Sequence, residues 1–329
     1  MTKKTRYFMA GSAAVLGVGL CTGLVAFYTG GFQTVSAAPV ATELRYVPAD
    51  SAVIAYADVR SIMDSELRTQ LKAAIPMHQQ GQEEFRAQTG IDIERDIDYI
   101  VAAGAPSTGS LEAPLGGGLV VARGRFNDTQ LEALAREHGG QVEDYKGKRL
   151  ITSPADASGN RMTLAFLETG LVAIGTSATV QRAIDAQLTS HSITSNAEMM
   201  SIVAEIATNN NAWAVGRFDA IASQANLPPE IATRMPPVKW FSAAGHVNGG
   251  VSGTLRAEAT DEASADLLRR QISGVLALGE MVSKSDPTAG ALVKSLQMSG
   301  TGKTVALSFA IPAEVLALLP QMAGAAEIK

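Results

Sequence analysis

The chain has one cysteine, Cys21, so no disulfide can form within it. Four histidines (His78, His138, His191 and His246) and no cysteine cluster leave little material for a metal site. No basic surplus exists: 27 Lys and Arg face 32 Asp and Glu, a net charge of -5, which argues against a nucleic-acid-binding protein. Aromatic residues are only 5% of the chain, and Trp213 and Trp240 are its only tryptophans. Residues 43–329 hold no G-x-S-x-G elbow and no S-x-x-K pair, so the common serine-nucleophile signatures are missing there. What is present is a hydrophobic content of 46%, ordinary for a globular protein and too high for a disordered one.

The strongest signal is N-terminal. Lys3, Lys4 and Arg6 precede a run without charge, and the next charged residue is Glu43. The apolar part, Phe8 to Phe32, is long enough to cross a bilayer, which takes ~20 helical residues. The basic flank predicts a cytoplasmic N-terminus, with residues 43–329 outside. Val35–Ala37 offers a cleavage site before Ala38, but a cleavable apolar region spans ~7–15 residues and this one is longer. An uncleaved anchor over residues 1–32 is therefore expected over a cleaved, secreted form. Leu20 before Cys21 disfavours a lipoprotein signal. Gly19 and Gly23 form a GxxxG, echoed by Ala13/Gly17 and Ala26/Gly30, which suits close helix approach in lipid. Without its three leading basic residues the rest of the chain is about -8, so broad adhesion to anionic lipid is not expected.

Four blocks recur in the same order. Ala55-Tyr-Ala-Asp-Val-Arg-Ser-Ile62 matches Ala214-Val-Gly-Arg-Phe-Asp-Ala-Ile221, and Tyr99–Gly104 matches Trp240–Gly245, each ending Ala-Ala-Gly. Gly116–Arg123 matches Gly249–Arg256, and Leu171–Gly175 matches Val305–Ile311. The matched starts are 159, 141, 133 and 134 residues apart, as expected if a second copy lost loop segments early. Asn127, Asp261 and Ser177 are placed as helix N-caps, and Pro312 suits a first helical turn. Residues 261–284 place Ala265, Leu268, Ile272, Val275, Gly279 and Val282 at steps of three or four, and residues 126–139 carry a similar stripe.

Amphipathic helices between alternating strands predict the α+β class: two tandem related modules, each an antiparallel sheet with helices on one face. The expected organisation is an anchor at 1–32, a spacer at 33–42, a first module at 43–190 and a second at 191–329. A Ser- and Thr-rich stretch near Gln187–Asn196 joins the modules.

Individual motifs point away from cofactors. Ser299-Gly-Thr-Gly-Lys-Thr304 ends like a phosphate-binding loop, but the first glycine of that motif would fall on Gln297 and a strand follows, so a hairpin turn is expected. Asp92-Ile-Glu-Arg-Asp-Ile-Asp98 lacks the glycine and distal glutamate of a calcium loop and reads as a solvated extended segment. His138 sits where a cation meets a helix C-terminus. His246 lies on a repeated element, but the first copy has Ala105 there. Pro228, Pro229, Pro236 and Pro237 bracket a short stretch just before Trp240, and together they form a candidate docking loop whose alternative is core packing.

Gly90–Ile100, Val47-Pro-Ala-Asp-Ser51 and Tyr145-Lys-Gly-Lys148 resemble segments of a loose group of bacterial, N-terminally anchored envelope proteins with tandem α+β modules, mostly uncharacterised. The resemblance spans residues 45–320. It implies the duplicated architecture and an extracytoplasmic location, and it supplies no catalytic residues. The expected function is a binding or structural one, as an accessory subunit of an envelope or membrane complex. Partners are expected through the N-terminal helix (Gly19, Gly23) or the Pro/Trp loop, with no cofactor. The alternatives are a hydrolase with a spatially assembled site and a carrier of a small apolar ligand.

Overall fold

Among the described residues, short alternating apolar runs build twelve strands, each antiparallel to its neighbours and all in one sheet. The structure is a computed structural model, and it describes residues 40–69, 91–104, 118–155, 161–218, 236–283 and 293–316. Gly19, Gly23, Pro228 and Pro229 lie outside these residues, as does the whole 1–32 segment. Among the described residues no helix is long and apolar enough to cross a membrane.

The strands are β1 (Val53–Ala57), β2 (Ile97–Gly104), β3 (Gly118–Gly124), β4 (Gln141–Tyr145), β5 (Lys148–Thr152) and β6 (Thr163–Glu168). They continue as β7 (Leu171–Gly175), β8 (Ala212–Arg217), β9 (Val238–Val247), β10 (Gly250–Ala259), β11 (Gln297–Ser299) and β12 (Thr304–Pro312). Across the sheet their order is β11-β12-β10-β9-β8-β1-β2-β3-β7-β6-β5-β4. The class is α+β with a large antiparallel sheet, as the alternation predicts.

β1 and β8 pair inside the sheet, with five strands on the β8 side of the junction and seven on the β1 side, and set Ala55 opposite Ala214 and Tyr56 opposite Trp213. On one side Val53 faces Gly104, and on the other Ala212 faces Gly245. Ala55 and Ala214 begin the first pair of matched blocks, and Gly104 and Gly245 end the second. Further out, Gly118 faces Gly104 and Gly253 faces Gly245. The third sequence match sets Gly118 beside Val251, two residues from that ladder position. A two-residue shift keeps each side chain on its face, which is why alternation alone does not reveal it.

The helices lie on both faces, not on one. The first face carries Ile54, Tyr56, Val101, Val121 and Trp213, all buried. A 3-10 turn at Leu44–Tyr46 packs there, with the later helices Ser177–Thr189 and Ala197–Ile206, which become α5 and α6 once α1 (Val40–Glu43), α2 (Val59–Met63), α3 (Ile93–Asp96) and α4 (Asp128–Glu137) are numbered. On the opposite face α2 packs with Ala57, Ala212 and Val247, and α4 packs Leu131 against Ile151. There α7 (Glu262–Ser283) sets Ala265 against Ala259 and Val305, and α8 (Ala313–Leu316) follows β12. The reason is in the central strands: β8 is buried at five successive positions, so small and apolar residues face both ways.

The caps locate the helices. Asn127 Oδ1 accepts from the Gln130 N–H at 3.1 Å, and Asp261 Oδ1 from the Ser264 N–H at 2.7 Å. Thr176, not Ser177, caps α5 by accepting from the Thr179 N–H at 3.2 Å. Ser299–Thr304 is the hairpin between β11 and β12, and Gly300 (φ +97) and Gly302 (φ +57) supply the left-handed turn residues. In α7 the apolar stripe outruns the sheet: Leu268 and Ile272 pack, while Val275 is 68% exposed.

Candidate interaction site

The described chain starts at a buried carboxylate. Glu43 ends α1, is 1% exposed, and gathers donors from two strands. Its Oε1 accepts from the Tyr99 hydroxyl at 2.9 Å, from Arg123 Nη2 at 2.6 Å and from Arg123 Nε at 3.2 Å. Arg123 Nη1 donates to the Thr169 carbonyl at 3.2 Å. A second carboxylate, Glu168, accepts from the Tyr46 hydroxyl at 2.9 Å and pairs with Arg45. Arg123 lies 3.8 Å from Glu168 and so joins both acids. Burial and the facing Glu43 push the Tyr99 hydroxyl up to about 12, and burial with Glu168 does the same to Tyr46.

From there the chain crosses the first face as a strap. Leu44, Tyr46 and Val47 are at most 1% exposed. The Val47 carbonyl accepts from the Ile193 N–H at 2.8 Å, and Arg182 pairs with Asp50. The Ala52 N–H then reaches the Gly104 carbonyl at 2.8 Å. The strap therefore runs from the end of the sheet where β1 stops (the Ala57 end) to the end where it starts (the Val53 end).

Aromatic rings carry the contact inward. Tyr99 lies 5.9 Å from Tyr56, whose ring stacks on Trp213 at 5.7 Å and 22°. Burial raises the Tyr56 hydroxyl above its usual range. The clasp at Glu43 is thus in contact, ring by ring, with the β1·β8 pairing. On the other side of that pairing, Lys239 holds the Glu198 carboxyl of α6 below its usual range.

The residues expected to form a docking loop have other duties where they are described. Trp240 is 4% exposed and belongs to the main core, so it presents no ring to a partner. Pro236 is buried and Pro237 exposed, and the Pro237 carbonyl accepts the Thr260 N–H at 3.1 Å at the start of β9. Asp92–Asp98 is not a solvated run. Asp92 caps α3 by accepting from the Glu94 and Arg95 N–H groups, Glu94 pairs with Arg68, and Arg60 Nε donates to Asp98 at 2.7 Å. Those arginines stand far away in sequence, so nothing local announces the pairing.

Next to this network, Asp58 caps α2 by accepting from the Ser61 N–H at 2.7 Å. Burial, with Asp98 and Asp64 nearby, raises its carboxyl to about 6 against the lowering effect of that hydrogen bond and Arg60. Among the described residues no group of three or more His, Cys, Asp or Glu is placed to hold a metal ion.

Sequence reasoning passed over Glu43, Tyr99, Arg123 and Glu168. The signal was available for Glu43: it is the first charge after a long neutral stretch. In this cluster Glu43 accepts from Tyr99 and Arg123, and Glu168 from Tyr46, ties that fasten the 43–46 stretch to β2, β3 and β6.

No family model matches the chain, and no curated protein matches it. Among solved structures, TP0453 in its crystal form I is similar, with 10% sequence identity over 85% of this chain and 97% of that one and a TM-score of 0.45.

Proposed function

We propose that this is a membrane-anchored, extracytoplasmic binding protein, built of two related α+β halves, that serves as an accessory subunit of an envelope or membrane complex. The anchor is the 1–32 segment in a bacterial inner membrane, with a cytoplasmic N-terminus. One observation carries the reading: the chain enters the sheet at the Ala57 end through the buried Glu43–Arg123–Tyr99 clasp. A tether fastened there holds the sheet in a set orientation to the membrane, which a freely swinging domain does not need.

Two related halves are supported by the strand order. Reading outward from the central pairing, β1-β2-β3-β7-β6 on one side runs parallel in plan to β8-β9-β10-β12-β11 on the other. β4 and β5 are additions to the first half. The pairing of Ala55 with Ala214, which the sequence match equates, is what a local two-fold axis between β1 and β8 requires.

The test is to extract the full-length protein from its native membrane in mild detergent and measure the mass and composition of the particle. A particle of defined stoichiometry containing other membrane proteins is expected. Recovery of this chain alone, or in the soluble fraction, overturns the reading.

A further inference from the structure

Every sheet of this kind has two edges, and here they differ. β4 ends one side and β11 the other, and among the described residues neither has a partner on its outer side. Edges are normally short, charged or covered, because a bare row of N–H and C=O groups recruits strands. β4 carries exposed Glu143 and Asp144. β11 carries no charge, and it lies between the exposed Lys294 and Lys303. It is also the apolar edge: Met298 is 36% exposed, and Val275 of α7, two residues on from the Ser273 that approaches the Met298 sulfur, is 68% exposed.

We propose that copies of this chain join edge to edge, β4 of one against β11 of the next, extending one sheet in a row. Three observations select this occupant. The charges are complementary, acid on β4 and lysines about β11. The apolar residues match: Met298 lies opposite Leu307, and Val142 opposite Ile151, both on the face that α4 and α7 cover. The direction is right: in a 12-stranded sheet with every pairing antiparallel, the two outermost strands run in opposite senses. A copy set beside that edge therefore continues the antiparallel alternation.

The rival is β11 against β11 of a second copy about a two-fold axis. An axis that pairs identical strands antiparallel stands perpendicular to the sheet and exchanges its two ends. It sets Lys294 and Lys303 of one copy against those of the other, which like charge disfavours. Because β11 has three residues, each contact is small, and rows form where tethering concentrates the copies, a step that rests on the proposed anchoring.

Cross-linking tests the arrangement in the full chain. Cys21→Ser removes the only native thiol. Met298→Cys and Val142→Cys are then added singly and together, and membranes are treated with a mild oxidant. Facing cross-strand positions lie within disulfide reach. The double variant is expected to give a ladder of dimers, trimers and longer species, and each single variant only monomer. Dimer from Met298→Cys alone indicates the two-fold pairing and overturns the proposal. Monomer from the double variant, with circular dichroism unchanged, also overturns it. Fractionation of the same samples reads the anchoring separately: a ladder formed by protein released from the membrane leaves the row standing and removes the tether.

Discussion

The Tyr99 hydroxyl donates to Glu43 Oε1 at 2.9 Å, tying the end of α1 to the start of β2. Arg123 completes the charge balance from β3. Removing the acid alone leaves a half-buried guanidinium and a half-buried phenol without their acceptor. Glu43→Ala is expected to destabilise the fold by about 2–4 kcal/mol in urea unfolding. Glu43→Gln, which keeps an acceptor for Tyr99, is expected to cost less. Equal losses from both variants would show that the charge alone matters.

A second fastening is a side chain acting as backbone. Asn211 Nδ2 donates to the Val247 carbonyl at 2.9 Å, and its Oδ1 accepts the Val247 N–H at 3.0 Å. Its own carbonyl takes the Asp58 N–H at 2.8 Å. Asn211→Ala is expected to cost about 2–4 kcal/mol by orphaning two backbone groups, measured by thermal or urea unfolding. A loss under 1 kcal/mol would mean that water replaces the amide.

Asp58 gives the fold a pH dependence of defined sign. Its folded carboxyl titrates near 6, above the unfolded value of 3.8, so the native state binds the proton more tightly. The contribution is favourable below pH 4 and is lost as pH rises through 6. Asp58→Asn keeps a capping oxygen and removes the titration. Wild type is expected to lose stability relative to this variant between pH 4.5 and 7.5, in paired urea titrations. A constant difference across that range would refute the shift.

Both tryptophans are buried, Trp213 at 1% and Trp240 at 4% exposure. Native emission is expected to be blue-shifted and poorly quenched by iodide. Trp240→Ala is expected to cost about 3–5 kcal/mol as a core truncation. Efficient iodide quenching of the native protein would contradict this burial.

Much of the sheet is legible in the sequence because its signal is local. The alternating strands, the Ala-Ala-Gly ends and the Asn127 and Asp261 caps all depend on neighbours within a few residues. Two faces are harder to read than one: only packing shows that helices cover both sides of the strand Ala212–Arg217. The stripe on α7 reads as core to Val282, yet Val275 is exposed, because periodicity reports which residues share a face and not whether a sheet lies under it. The clasp was the least legible part. Its members stand on α1, β2, β3 and the β6–β7 turn, so no spacing along the chain connects them.

The pairing of β1 with β8 also sets an order in time. As synthesis proceeds from the N-terminus, β1 gains β2 early, but its other side stays open until Ala212–Arg217 has been made. For that interval the nascent first half shows an apolar strand edge, Val53–Ala57, to anything nearby. A factor that shields nascent chains would have its greatest effect on yield in this window, and a chain halted before residue 212 would be the form most prone to aggregate.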